Sequence, residues 1–145
     1  MRLLLSTALL VVAALGVSCS SNAPASNGSA PAATLPPRKA DKALVVFFRP
    51  RSPKGGAIQF NITEASGRIV GSLKNGTKFH EYVDPGAVTY SVKAPSVDGT
   101  DSVTIQAAAG EAYFLRGKVL MGWPAGRPKF VQETEPDAAR ALASM

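Results

Sequence analysis

Two tight-turn signals set close together, Asn75-Gly76 and Asp84-Pro85-Gly86, constrain this chain more than any other feature. Asn-Gly is the strongest short hairpin signal, because a type I′ turn needs positive φ at both central residues. In the second turn, proline pre-sets φ at one corner and glycine supplies a positive φ at the next. Three short runs flank these turns, each with apolar residues two apart. Ile69, Gly71 and Leu73 share one side; Phe79 and Val83 share another, with Glu81 between them; Val88, Tyr90 and Val92 share a third. Period-two alternation between tight turns predicts strands. The stretch therefore reads as a three-strand meander in an all-β domain.

The remaining segments extend that reading. Ala43 to Phe48 is apolar on both faces, the pattern of a central strand covered on both sides. The loop from Arg49 to Gly56 ends it. Ile58, Phe60 and Ile62 alternate with polar residues, as do Val103 and Ile105 further on. From Glu111 to Met121 a long strand is expected, with Tyr113, Leu115, Val119 and Met121 on one face. Phe114, Arg116, Lys118 and Leu120 fall on the other. Lys129 to Thr134 reads as a last strand. Thr134 with Asp137 three residues on reads as the start of a short helix. The sum is about seven to eight strands spaced roughly 8–12 residues apart, which predicts an antiparallel β-sandwich spanning 41–135, with a helical tail over 136–145.

The N-terminus is of another kind. Arg2 precedes an apolar run from Leu3 to Leu15, shorter than a comfortable membrane span, which reads as a secretory signal over 1–18. The chain's single cysteine, Cys19, follows small residues at the end of that run, so no intramolecular disulfide is possible. Leu15-Gly16-Val17-Ser18-Cys19 resembles the lipobox of bacterial lipoproteins. In that family the cysteine becomes the first mature residue and carries acyl chains such as palmitate. Such chains tether a domain to a membrane without a transmembrane helix. Residues 19–40, rich in Ser, Asn, Ala and Pro, read as a flexible linker reaching about 25 Å. The expected location is the cell envelope, on the outer membrane or a periplasmic face. Without Arg2 the formal charge falls from +6 to +5. A basic exported chain points to anionic lipid, wall polymer or an acidic protein as partner, and away from nucleic acid.

Three motifs together carry a second resemblance. They are Val46-Phe47-Phe48-Arg49-Pro50, Gly71-Ser72-Leu73-Lys74-Asn75-Gly76-Thr77-Lys78-Phe79 and Val83-Asp84-Pro85-Gly86. They resemble a family of small bacterial exported proteins, often lipoproteins, classed as a domain of unknown function, over about Ala43 to Val131. The family resemblance implies a prealbumin-like or PEGA-like β-sandwich in the cell envelope, and it brings no catalytic residues.

The chemistry-bearing residues are few. His80 is the only histidine and lies in a predicted strand beside Glu81, whose side chain must point to the opposite face. A Ser-His-Asp site through His80 is the enzyme alternative; the reading adopted is non-catalytic. Neither a metal site nor a cofactor site is expected, since the acids lack the spacing of a calcium loop. Arg49, Arg51 and Lys54 form the densest basic loop, a candidate contact for an anionic glycan, lipid or acidic partner. Trp123, in a predicted Gly-Trp-Pro loop, is the candidate for stacking on a sugar or anchoring a protein. The expected role is a tethered interaction or accessory module, with peptidoglycan or glycan binding as the alternative.

Overall fold

The computed structural model describes residues 35–94, 99–120 and 126–145. Among these, eight strands and one helix follow in order: β1 (Ala43–Arg49), β2 (Phe60–Glu64), β3 (Ile69–Leu73), β4 (Thr77–Val83), β5 (Gly86–Lys93), β6 (Thr100–Ala107), β7 (Ala112–Leu120), β8 (Arg127–Glu133) and α1 (Glu135–Ala143). They form two four-stranded sheets, β4-β1-β7-β8 and β3-β2-β5-β6. The fold is a β-sandwich with a helix packed on the outside of the first sheet.

The double-faced run at Ala43 to Phe48 explains that helix. Ala43, Val45 and Phe47 point between the sheets, where they meet Phe60, Ile62, Leu73 and Tyr90. Leu44, Val46 and Phe48 point the other way and are covered with Phe114 by Ala138 and Leu142 of α1. A strand apolar on both faces needs two covers, and the second sheet and the helix supply them. Phe47 is the centre of the inner core. Its ring stacks on Phe79 at 4.9 Å between centroids and takes Tyr90 edge-on at 4.9 Å. In β7 the alternation falls as its sequence predicts, with Leu115 on the inner core and Phe114 on the outer cluster.

Three expectations are corrected. First, residues 69–92 do not form a meander. β4 pairs with β1, placing Phe79 opposite Phe47 and His80 opposite Val46, while β5 pairs with β2 and β6. Both turns carry the chain across from one sheet to the other. The first is closed by the Thr77 amide donating to the Lys74 carbonyl at 3.2 Å, with Gly76 at φ +75°. Turn chemistry reverses the chain but does not choose the strand it pairs with, and burying Phe79 on Phe47 decides that. Second, the pairing is not wholly antiparallel, since β1 and β7 run parallel in register Phe47↔Leu115. The long connection through the second sheet allows it. Third, Ile69 does not share the inner side with Leu73. The β2–β3 register slips between Ile62 and Thr63, leaving Val70 as a bulge turned to the core and Ile69 72% exposed.

The chain before β1 is also docked where a linker was expected. Leu35 packs in the outer cluster, the Tyr82 hydroxyl donates to the Pro37 carbonyl at 2.6 Å, and Lys39 lies 4.2 Å over the Tyr82 ring. Arg38 bridges Glu135 of α1 at 2.6 Å and Glu111 at 3.6 Å. Residues 35–42 thus form a strap along the first sheet, and the expected boundary at residue 40 falls within it.

Candidate functional site

One end of the sandwich gathers the loop 50–59, the 74–76 turn and the C-terminal end of β7. Arg49 belongs to this end but not to its surface. Its residue is 2% exposed, and its guanidinium donates to the carbonyls of Ile58 and of Gly55, the latter at 2.6 Å. It also sits 4.5 Å from the Phe60 ring centroid. Burial lowers its pKa from the usual arginine value. Arg49 therefore clamps the start of the loop from inside and is withdrawn from the expected binding set. Its burial follows from position, because it continues the inward side of β1 after Phe47.

The loop is pinned from a second side. Asn75 Oδ1 accepts from the Ser52 amide at 2.9 Å, and Asn75 Nδ2 donates to the Ser52 carbonyl at 3.0 Å. The Asn75 side chain thus treats Ser52 as a strand neighbour would. Held this way, the loop presents Arg51 and Lys54, both exposed, along the rim of a cleft of about 180 Å³. The opposite wall is Arg116, Lys118 and Leu120 of β7.

These β7 residues share the outer face of the first sheet with Phe114 and continue it beyond the helix. Register extends the basic face sideways. Lys118 lies directly opposite Lys129, Leu120 opposite Arg127, and Phe48 is flanked by Lys78 and Arg116. Like charges directly opposite on a sheet are destabilising. A single acid relieves them: Glu133 takes Arg116 at 3.1 Å and Lys118 at 3.4 Å. Arg116 Nε is buried without a hydrogen-bond partner among the described residues.

The other end of the sandwich is the electrostatic opposite. Lys42 pairs there with Asp84, while the Arg140–Asp137 pair lies within α1 and shares a pocket with Arg116. Arg68 bridges Glu64 at 2.8 Å and Glu81 at 3.0 Å, and Arg38 bridges Glu111 and Glu135. Among the described residues, Arg51, Lys54, Lys78, Arg127 and Lys129 have no such partner. Among the described residues, unpaired positive charge thus gathers mainly at one end and the adjoining outer face, with Lys39, over the Tyr82 ring at the other end, as an exception. No family model matches the chain, and no curated protein matches it.

The remaining candidates are placed as follows. His80 is exposed on the outer face of β4, edge-on to Tyr82 at 5.6 Å, and no serine or carboxylate hydrogen-bonds to it among the described residues. No group of three potential metal-ligating side chains occurs among the described residues, and no helix there is long and apolar enough to cross a membrane. Cys19 and Trp123 lie outside the described residues. The flanks of the Trp123 segment do meet the loop: Leu120 lines the cleft with Arg51, and a Cβ on Gly126 would lie 3.6 Å from Ile58. Sequence reasoning named Arg51 and Lys54 but missed Arg116, Lys118 and Lys129. Their signal was present as two cations two apart on the outward side of β7. What the sequence did not carry was the parallel β1–β7 pairing that brings them beside the loop.

Proposed function

We propose that this chain is a lipid-anchored envelope protein acting as a non-catalytic interaction module, with its basic end as the contact surface. The observation that carries the reading is the distribution of charge: Arg38, Lys42 and Arg68 at one end are ion-paired, while Arg51, Lys54, Lys78, Arg127 and Lys129, at or beside the 50–59 loop, form no ion pair among the described residues. Such a surface collects anions and steers their approach. The lipobox-like Cys19 segment and the motif resemblance support export and anchoring, and the prealbumin-like or PEGA-like comparison stays a resemblance.

Two variants test the parts separately. Cys19→Ser is expected to release the protein from the membrane fraction or leave it unprocessed; normal maturation with persistent membrane association would refute the anchor. Crosslinking in intact cells, with wild type beside the Lys118→Glu/Lys129→Glu double variant, tests the surface. The wild-type crosslinks are expected to weaken strongly in the double variant. An unchanged pattern would move the contact elsewhere. Recovery of glycan fragments carrying crosslinks through the basic end would favour the wall-polymer alternative.

A further inference from the structure

We infer that the basic outer face of the first sheet lies against the anionic lipid surface of the membrane that holds the anchor, with the strap 35–42 setting that orientation. This rests on the anchored reading of Cys19 given above. Three observations converge on it.

The first is the course of the strap. Leu35 sits beside Val46, Lys78 and His80, and Pro37 beside Tyr82. Since Val46 is opposite His80 and Leu44 opposite Tyr82, the strap runs counter to β1, away from the basic end. Leu35 is thus the strap residue set furthest towards the basic half. Fifteen residues lie between Cys19 and Leu35, and a random coil of that length averages about 19–23 Å end to end. A seven-residue strand such as β1 spans about 23 Å. The anchor therefore reaches the plane of the basic face without stretching.

The second is charge. Each Lys or Arg held near an anionic bilayer strengthens binding by about five-fold, and only within about a Debye length of 8 Å. Lys118 and Lys129 are cross-strand neighbours on the outer side of the first sheet, beyond the part that α1 covers, with Arg51 and Lys54 at the rim, so several can meet the surface together. The opposite end, where Arg38, Lys42 and Arg68 are ion-paired, offers less attraction.

The third is Leu120, which is 49% exposed at the edge of this basic face, whereas the other exposed large apolar residue, Ile69, stands on the second sheet away from the unpaired cations. A large apolar side chain bordered by cations suits the headgroup boundary, where lipid solvates both. A soluble polyanion would offer it nothing. One acyl anchor together with a basic patch also matches the two-signal logic of stable attachment.

The experiment uses the full lipidated protein reconstituted into vesicles of phosphatidylcholine, with or without phosphatidylglycerol. A single fluorophore is placed through Ala57→Cys, in the basic-end loop, or through Ala109→Cys, in the turn at the far end. Quenching by headgroup-labelled lipid is then read. In anionic vesicles the Ala57 label is expected to be quenched several-fold more than the Ala109 label. The difference is expected to vanish in neutral vesicles, at molar salt where the Debye length is about 3 Å, and in the Lys118→Glu/Lys129→Glu variant. Equal quenching of both labels in a stably anchored protein would overturn the orientation while leaving the anchor intact. Protection of the Ala57 label by a soluble polyphosphate but not by anionic lipid would overturn it in favour of a wall polymer. Failure of the protein to enter neutral vesicles at all would refute the anchor and the orientation together.

Discussion

Arg49 shows how a basic residue can be structural. Its two carbonyl acceptors have no other cation available, and its ring partner Phe60 is fully buried. Hydrogen bonds from a charged donor contribute about 1.5–3 kcal/mol each, and a desolvated cation–π contact about 2 kcal/mol. Arg49→Ala is expected to destabilise the domain by about 3 kcal/mol, read as a fall in the urea midpoint, because it also strands the carbonyl of Ile58, while that of Gly55 keeps the Ile58 amide at 3.0 Å. Arg49→Lys keeps the charge but not the fork, so it should recover only part of the loss. Tyr90 is the other buried polar side chain of consequence. Its hydroxyl donates to Glu81 at 2.6 Å, which explains why the acid between Phe79 and Val83 is tolerated on the inner side of β4. Burial, and then the bond to Glu81, push the Tyr90 phenol well above its ordinary value of 10.0. The unfolded chain ionises near 10 while the folded one does not, so this stability is intact below pH 10 and is lost as pH rises beyond it. Alkaline titration should therefore show the Tyr90 phenolate band only as the β-sheet circular dichroism disappears. Tyr90→Phe should lose about 1–2 kcal/mol at neutral pH and show a weaker decline above pH 10. An early phenolate signal in a still-folded protein would contradict the burial argument.

At the scale of elements, the connection between β3 and β4 is more than a reversal. Gly76 adopts φ +75°, and a Cβ there would come within 2.7 Å of the Arg51 side chain. Gly76→Ala is therefore expected to cost about 1–2 kcal/mol from backbone strain, while also displacing Arg51. Asn75→Ala removes both bonds to Ser52 and should free the loop more than it destabilises the fold. Amide exchange at Ser52 should accelerate while the melting temperature falls by only a few degrees; unchanged exchange would mean that Arg49 alone holds the loop. This element also marks where the sequence was legible. The unbroken apolar run identified Ala43 to Phe48 as covered on both faces, and period-two alternation divided β7 correctly, because burial acts on each residue by its position in the strand. The capping pattern at Thr134 located α1, although Thr134 Oγ1 bonds Asp137 Oδ2 at 2.6 Å rather than a backbone amide. Partner choice was not legible. Asn75-Gly76 specifies a tight turn equally well whether the next strand pairs with β3 or crosses to β1. The slip at Val70 reversed Ile69 because a bulge leaves no mark in an alternating run. The basic face was hidden for the same reason: Lys118 and Lys129 become neighbours only through pairing.

At the scale of the whole molecule, the two ends of the sandwich answer different demands. The end at Arg38, Lys42 and Arg68 spends its cations on ion pairs that tie strap, strands and helix together. The end around the 50–59 loop leaves several cations unmatched, and across β7 and β8 it sets Lys129 face to face with Lys118, of which only Lys118 reaches an acid, Glu133. A fold selected for stability alone would place an acid at one of these positions, since opposite charges across a strand pair favour the sheet and like charges oppose it. Lys129→Glu makes that substitution. It should raise stability by about 0.2–1 kcal/mol by giving Lys118 a second acidic neighbour beside Glu133. The same change should lower affinity for anionic vesicles, most clearly at low salt, where exposed charges act over the longest range. A higher urea midpoint together with weaker anion binding would identify the repulsion as retained for contact. A rise in stability with binding unchanged would leave Lys129 outside the contact surface and shift attention to Arg51 and Lys54 on the facing rim of the cleft. A fall in stability would mean that the lysine stem contributes packing on the sheet face that its charge conceals, and Lys129→Met, which keeps the stem without the charge, would then restore the midpoint.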